Sequence, residues 1–208
     1  YPSGDANPYQ WMVHEAIHQI GREIAGLKLT QWLDEGIAEY ISTSRIIDNR
    51  IVPGRIDTNT YPTWWLSIMA TAKNLEQDKQ NLSFIPLQTI VSGRGGPDMD
   101  EHFNLYYVHW WTLTHFLFHY QQGRYKNGLM EMIERGGSPA DFVECIGRFD
   151  EVETGSEGER RIIDHHSPVL TASGTQQLSQ QRVIDRRERV ALRPRLHLIH
   201  VDTANQSH

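Results

Sequence analysis

Cysteine is nearly absent from this sequence, since a single residue, Cys145, stands among 208. An intramolecular disulfide is therefore excluded, and so is a zinc site built from several cysteine thiolates. Cys145 lies in an apolar pattern with Phe142, Val143 and Ile146, so we expect it to be a small core residue and not a nucleophile.

Long apolar runs are absent as well. No segment has the length of apolar sequence that spans a bilayer, so we expect no membrane span in this chain. No signal peptide is visible, but the chain begins at Tyr1 and not at methionine, so this absence does not bear on secretion. The location is therefore unknown, and an extracytoplasmic one stays open.

Positive charge is also in deficit, with 20 Lys and Arg against 26 Asp and Glu and a net charge of −6. This balance argues against a nucleic-acid-binding surface. With 38% apolar residues, the chain can build a core of ordinary size. We predict one domain over residues 1–153, followed at residues 154–208 by a polar, poorly ordered tail with few aromatic residues.

The clearest motif that is present is HExxH, at residues 14–18. On a helix, this spacing places His14 and His18 one turn apart on the same face, so both imidazoles can reach one metal ion. The intervening Glu15 then lies beside a metal-bound water. The alternative is an amphipathic helix whose two histidines are solvated or satisfied in the core.

The sequence around this motif predicts a helix over residues 8–25. Asn7 is a typical N-cap, Pro8 suits the first helical position, and Gly26 is a plausible stop. Apolar residues recur at helical spacing and predict a buried stripe beside the histidines, formed by Val13, Ile17, Ile20 and Ile24.

The third ligand decides the class of metal site. In the metzincin continuation, HExxHxxGxxH, a histidine would stand at position 24, and the alkyl side chain of Ile24 excludes that class. Glu35 can return to the site on a second helix, for which Thr30 is the expected N-cap. Glu39 lies one turn beyond Glu35 and could accept the free N–H of a ligand imidazole. The alternative is a pair of solvated glutamates on a surface helix.

The HExxH motif followed by WLDEGIAEY at residues 32–40 resembles the gluzincin clan of zinc metallopeptidases. Within that clan, the chain is most similar to the bacterial peptidase-MA-like families. The likeness continues through YYVHWWTLTHFL at residues 106–117, and through a short helix, a Gly-Gly turn and a Phe-x-x-x-x-Gly ending at residues 128–147. The resemblance implies a mainly α-helical, zincin-like catalytic domain with an active-site helix and a third-ligand helix.

The resemblance also implies a role for each matching residue. His14, His18 and Glu35 would hold one zinc ion per chain, with water in the fourth position. Glu15 would be the general base that takes a proton from this water and later passes it to the leaving amine. Glu39 would stand behind the metal ligands and orient an imidazole.

Hydrolysis also needs a donor for the negative charge that develops on the former carbonyl oxygen. The resemblance favours Tyr107 for this role, with Tyr106 and His109 as alternates. The competing interpretation of Tyr107 is a packing tyrosine on a helix over residues 105–120, which is apolar nearly all round and should cross the domain centre.

The expected function is therefore zinc-dependent hydrolysis of peptide bonds in a peptide or protein substrate. The alternative is a non-catalytic zinc-binding or scaffold domain derived from a metallopeptidase, and a third interpretation is a helical domain with accidental motifs. Gluzincins usually carry a sheet before the zinc helix, and few residues precede His14, so we expect that sheet to be largely absent and the domain N-terminally truncated. Cleavage preference and oligomeric state stay open.

The other segments predict short helices and loops. We expect a loop with short extended pieces at 48–62, a helix over 64–75 capped by Thr63, a helix from Pro86, a glycine-rich loop at 92–97 and a Ser138 capping box for a helix through residue 146.

Overall fold

The computed structural model describes residues 7–61, 63, 75–81 and 83–152. The predicted tail, the domain boundary before it and most of the predicted helix over 64–75 lie outside the described residues. Within those residues the chain is mainly α-helical, as expected. The helices are α1 (Gln10–Gln19), α2 (Gln31–Ser42), α3 (Leu75–Gln80), α4 (Leu87–Ser92), α5 (Met99–His119), α6 (Lys126–Arg135) and α7 (Pro139–Cys145).

The apolar stripe predicted for α1 is buried only in part. Val13 and Ile17 are half-buried, whereas Ile20 and Ile24 are 48% and 80% exposed, so the prediction is wrong for the second half of the stripe. The fully buried residues of α1 are instead Gln10, His14 and His18. The face with the histidines is buried because it meets the carboxylates of α2. A π-helical turn at Ile20–Ile24 follows α1 directly.

Of the two predicted ends of the first helix, the start is wrong and the stop is confirmed. The N-cap is Tyr9 and not Asn7, whose side chain accepts a hydrogen bond from the Tyr9 amide at 2.9 Å and so forms a turn before the helix. Gly26 adopts the left-handed conformation (φ 64°) after the π-helical turn and confirms the predicted stop.

Helix α2 begins after Thr30, which is its N-cap residue as predicted, but the Thr30 side chain makes no capping hydrogen bond to α2 and a glycine pair holds that end in place. The Thr30 amide donates to the carbonyl of Gly136 at 2.8 Å, and the Thr30 hydroxyl donates to that of Gly137 at 2.8 Å. The Trp32 indole also donates to Gly137, at 2.9 Å. Both glycines have positive φ (105° and 79°), and a Cβ on Gly137 would lie 2.4 Å from Leu33 Cδ2. The Gly-Gly turn after α6 therefore fixes the start of α2.

A β-hairpin follows α2 and overlaps the predicted loop at 48–62. Strand β1 (Ser44–Ile47) pairs antiparallel with β2 (Arg50–Ile56), and Ile46 faces Ile51 across the ladder. The two-residue turn between them has positive φ at Asp48 (50°) and Asn49 (59°), which suits a type I′ hairpin turn. Strand β2 is an extended piece of the kind predicted within 48–62, whereas β1 precedes that range and was not predicted.

Helix α5 crosses the domain centre, as expected, and begins at Met99 instead of near residue 105. Asp98 caps it through its side chain, and the non-helical backbone of His102 kinks its first turns. The core gathers around α5 from α2, α6 and α7, with Trp32, Leu33, Trp110, Leu117, Leu129 and Phe142 almost fully buried. Cys145 is half-buried and packs against this core.

Three further predictions agree with the structure. Pro86 is the N-cap of α4, and the glycine-rich segment after α4 is a loop. Ser138 and Asp141 form a reciprocal capping box at the start of α7.

Among the described residues, no helix combines the length and apolarity needed to cross a membrane.

Candidate metal centre

The histidine face of α1 lies against α2, and the pairing shows that the two helices run in opposite directions. His14 meets Glu39 near the end of α2, whereas His18, one turn further along α1, meets Asp34 near its beginning. His14 and His18 are 3% and 6% exposed, so both imidazoles are withdrawn from solvent. The HExxH segment is helical, as its spacing predicts.

Three donor atoms, which we call the metal triangle, converge between the two helices. The Nε2 atoms of His14 and His18 are 3.0 Å apart, and Glu35 Oε2 lies 3.2 Å from the first and 3.5 Å from the second. Ligand atoms at about 2.1 Å from one tetrahedral ion are about 3.4 Å apart. His14, His18 and Glu35 could therefore hold a single metal ion. The structure brings together the three residues that the sequence predicts as ligands.

The Glu35 carboxylate supports this interpretation because one of its oxygens is buried against both imidazoles. Glu35 Oε2 is withdrawn from solvent and faces the two Nε2 atoms. A buried carboxylate needs a proton donor or a cation beside it. A cation at the centre of the triangle would satisfy this oxygen and the lone pairs of both Nε2 atoms together.

Without a metal, the histidines and glutamates of the site shift one another's pKa values. Burial alone would lower the pKa of His14, but Glu35 and Glu39 outweigh it and raise that pKa to about 9. Burial alone would raise the pKa of Glu35, but His14 and His18 lower it to about 2. The pKa of His18 is raised chiefly by Glu35, against burial. A proton thus occupies the place that a dication would take.

A carboxylate stands behind each imidazole, on the side away from the triangle. Glu39 Oε1 lies 3.2 Å from Nδ1 of His14, and Glu39 is fully buried. The structure therefore places Glu39 where the sequence predicts it. Asp34 Oδ1 lies 3.0 Å from Nδ1 of His18, and its other oxygen lies 3.8 Å from Arg22 Nη1. Metal-bound histidines commonly have such carboxylate partners, which fix the tautomer that presents Nε2 to the metal.

Sequence reasoning missed Asp34, although a signal was present. If α1 and α2 pack antiparallel with His14 on Glu39, then His18 must meet α2 about one turn before Glu39. Position 35 carries the ligand, and Asp34 beside it is the remaining carboxylate. The orientation of the helix pair would have identified it.

Tyr107 is the tyrosine that reaches this site. Its ring stacks against that of His14 with centroids 6.3 Å apart. Burial raises the pKa of Tyr107 well above its usual value, and the charges of Glu35, Glu39 and Glu15 raise it further. The exposed side chain of Glu15 therefore contributes to the same local field.

The two alternates have partners in the fold instead. Tyr106 donates its hydroxyl to the carbonyl of Pro97 at 2.9 Å. His109 is 2% exposed, and its Nδ1 lies 2.7 Å from the carbonyl of Leu105 while its Nε2 accepts from the Ile85 amide at 3.3 Å. Both side chains therefore support the backbone around α5.

Aromatic rings border the metal triangle, and sequence reasoning missed this set as well. The Trp11 ring lies 5.6 Å from that of His14 and 5.5 Å from that of Tyr61. Tyr107 in turn contacts Tyr61 at 6.5 Å and Phe103 at 6.4 Å. Tyr61 is buried, whereas Trp11 and Phe103 are 45% and 41% exposed. The four rings thus form an apolar border, and the two outermost rings, Trp11 and Phe103, are exposed to solvent.

No protein-family model matches the chain, and neither a curated protein nor a solved structure is similar to it. The gluzincin resemblance therefore stays a prediction.

Proposed function

We propose that the domain is a gluzincin-like zinc metallopeptidase that hydrolyses peptide bonds. The observation that carries the proposal is the convergence of His14 Nε2, His18 Nε2 and Glu35 Oε2 within 3.5 Å of one another. Two neighbouring helices present these atoms, and each imidazole has a carboxylate behind it.

The donor set favours zinc over the alkaline-earth cations. Calcium and magnesium are bound mainly by oxygen, whereas two of the three donors here are imidazole nitrogens. Two histidines and one glutamate form a known type of catalytic zinc site, in which the fourth position is left for water or substrate. Structural zinc sites usually fill all four positions with protein ligands, so a three-residue set favours catalysis.

Zinc, when bound, would lower the pKa of its water to about 7 and polarise a substrate carbonyl. Glu15 lies between the two histidines in the chain and is exposed, so its carboxylate is free to accept a proton and to release it to a leaving amine. Tyrosine is protonated at neutral pH, and burial raises the pKa of Tyr107 further, so its hydroxyl can donate to the developing oxyanion.

The border of aromatic rings supports a peptide substrate. Trp11 and Phe103 expose apolar surface beside the metal triangle, where the side chain of a bound peptide could pack. The acidic residues around the triangle, Glu15, Asp34, Glu35 and Glu39, make the site unsuited to a strongly anionic substrate.

A matched pair of variants tests the proposal. Glu15→Gln should retain one zinc per chain and lose at least about 100-fold in turnover of an unstructured protein such as casein. Glu23→Gln changes an exposed glutamate in the adjoining π-helical turn and should retain both zinc and turnover. Zinc is measured by atomic emission after dialysis.

Each outcome has a definite meaning. If the wild type binds stoichiometric zinc but turns over neither casein nor a mixed peptide library, the enzyme interpretation is contradicted and the scaffold interpretation remains. Wild-type protein that binds no zinc would contradict both interpretations. Equal turnover by wild type and Glu15→Gln would remove Glu15 from the mechanism.

A further inference from the structure

Gln10 is a buried residue that hydrogen-bonds to Glu39 at the metal site and is not itself one of the proposed ligands. It lies one turn before His14 on the buried face of α1 and is 2% exposed. Its Oε1 accepts a hydrogen bond from the Tyr61 amide at 2.8 Å, and its Nε2 donates to Glu39 Oε2 at 3.4 Å. The other oxygen of Glu39 faces His14 Nδ1 at 3.2 Å.

The orientation of the Gln10 amide is dictated by its partners. A backbone N–H can only donate, so the Tyr61 amide must meet the carbonyl oxygen of Gln10. The NH₂ group of Gln10 must then point the other way, toward Glu39. One oxygen of Glu39 therefore receives a donor from Gln10, and its second oxygen is turned toward His14.

The anchor at Tyr61 is itself held on several sides. The Tyr61 hydroxyl donates to Asn104 on α5, and its ring packs against those of Trp11 and Tyr107. Nearby, Asn7 ties the chain before α1 to the same segment, through its amide to the carbonyl of Asn59 and its side chain to Asp57. Gln10 thus connects Glu39 to a backbone position that α1 and α5 both fix.

We propose that Gln10 is a positioning residue for the metal site, which sets the orientation of His14 through Glu39. This inference rests on the metal site of the proposed function. With Gln10 in place, Glu39 cannot rotate away from His14, so the imidazole keeps Nδ1–H toward Glu39 and the Nε2 lone pair toward the metal. Without it, a buried carboxylate oxygen loses its donor and Glu39 is free to reorient.

The first test compares two glutamines of the same helix. Gln10→Met keeps the length of the side chain and removes both hydrogen bonds, whereas Gln19→Met makes the same change at an exposed position. We expect Gln10→Met to weaken zinc binding about 10-fold or more, as measured by competition with a chromogenic chelator. Gln19→Met should bind zinc as the wild type does. Gln10→Asn, whose amide is too short to reach both partners, gives the same test with a polar side chain if the Met variant does not fold.

The second test asks whether Gln10 acts through Glu39. In a double-mutant cycle, Gln10→Met should have little effect on zinc affinity once Glu39→Gln is present, because the group that Gln10 positions has already been altered. The visible absorption spectrum of the cobalt-loaded Gln10→Met protein should also differ from that of the wild type, since it reports the ligand geometry and not the stability of the fold.

The outcomes separate this inference from the proposed function. Wild-type zinc affinity and an unchanged cobalt spectrum in folded Gln10→Met or Gln10→Asn would overturn the role of Gln10 and leave the metal site intact. Additive effects of Gln10→Met and Glu39→Gln on zinc affinity would likewise show that Gln10 does not act through Glu39. A wild-type protein that binds neither zinc nor cobalt would instead overturn the proposed function.

Discussion

Asp34 Oδ1 lies 3.0 Å from Nδ1 of His18, and Asp34 directly precedes Glu35 in α2. This contact pairs the second imidazole of the HExxH motif with a carboxylate, just as Glu39 pairs with His14. The two pairs differ in environment, since Glu39 is fully buried and the Asp34 side chain is 29% exposed. Water can therefore replace part of the stabilisation that Asp34 gives to the His18 imidazole, but not the stabilisation that Glu39 gives to the His14 imidazole.

Replacement of Asp34 should accordingly weaken metal binding without abolishing it. Asp34→Asn removes the negative charge behind His18, and we expect zinc affinity to fall about 10-fold, toward the low end of the usual range for such partners. Glu39→Gln should cause a larger loss, because the buried site offers no water in its place. Chelator competition measures both. Asp48→Asn, in the exposed hairpin turn where asparagine is favoured, is the matched control. Equal affinity of Asp34→Asn and wild type would show that the contact does not tune the metal.

Tyr107 and Tyr106 are neighbours in sequence with different partners, so they provide a matched test of oxyanion stabilisation. Tyr107→Phe should lower kcat about 100- to 1,000-fold, while KM and zinc affinity stay near their wild-type values. Tyr106→Phe loses the hydrogen bond to Pro97 and should reduce stability while leaving kcat close to that of the wild type. A large loss of kcat in Tyr106→Phe, with none in Tyr107→Phe, would reverse the assignment.

The metal-free protein should have a stability that depends on pH in a definite direction. Because the pKa of His14 is raised from 6.5 to about 9, its contribution is fully present below pH 6.5 and is lost as the pH rises through about 9. Because the pKa of Glu35 is lowered from 4.5 to about 2, its contribution is present above pH 4.5 and is lost as the pH falls through about 2. These two groups therefore favour maximal stability between pH 4.5 and 6.5.

Urea denaturation of the chelator-treated protein at pH 5 to 10 measures this dependence. The midpoint should fall as the pH approaches 9, and zinc binding at pH 7 should release a proton, seen calorimetrically as a buffer-dependent enthalpy. His14→Gln should remove most of the dependence above pH 6.5. A midpoint in the metal-free wild type that is flat from pH 6 to 9 would contradict the ion pairs described for His14.

Gly36, next to the ligand Glu35, is required by the close crossing of α2 and α5. A Cβ at this position would lie 2.4 Å from Thr114 Oγ1 and 3.0 Å from the Trp110 carbonyl oxygen, so the two helices would have to move apart. We expect Gly36→Ala to cost about 1–3 kcal/mol in the free energy of unfolding and to weaken zinc binding by displacing Glu35.

The control for Gly36→Ala is Gly21→Ala. A Cβ on Gly21 would meet no atom within 4 Å, so this change should be neutral or stabilising. Denaturant unfolding measures both variants. Similar stability of Gly36→Ala and Gly21→Ala would show that the α2–α5 crossing tolerates a side chain at position 36.

The sequence predicts well which residues converge between α1 and α2, because their spacing is local and chemical. HExxH needs only a helix to bring His14 and His18 together, and Glu35 with Glu39 needs only a second helix. The capping box at Ser138 was similarly predictable, since it acts within one turn of the helix that it starts. The position of Thr30 as N-cap was predictable too, but its hydrogen bonds to the Gly-Gly turn were not.

The exposed side of α1 and the hairpin were not predicted, for different reasons. Periodicity shows which residues share a face but not which face meets a partner, and at α1 the carboxylates of α2 drew in the histidine face and left Ile24 exposed. The hairpin was predictable in part, because Asp48-Asn49 between two β-branched segments is a turn signal. Gln10 and the aromatic border depend on how separate elements meet, which no local pattern encodes. Asp34 follows from the sequence only once α1 and α2 are taken to pack antiparallel.

The central claim is that one zinc ion lies between α1 and α2, and a crystal of the zinc-loaded protein tests it most directly. Anomalous diffraction measured on both sides of the zinc absorption edge should show a single peak about 2.0–2.2 Å from His14 Nε2, His18 Nε2 and Glu35 Oε2. A peak at other residues, or none between these three atoms in a crystal grown with zinc, would contradict the account.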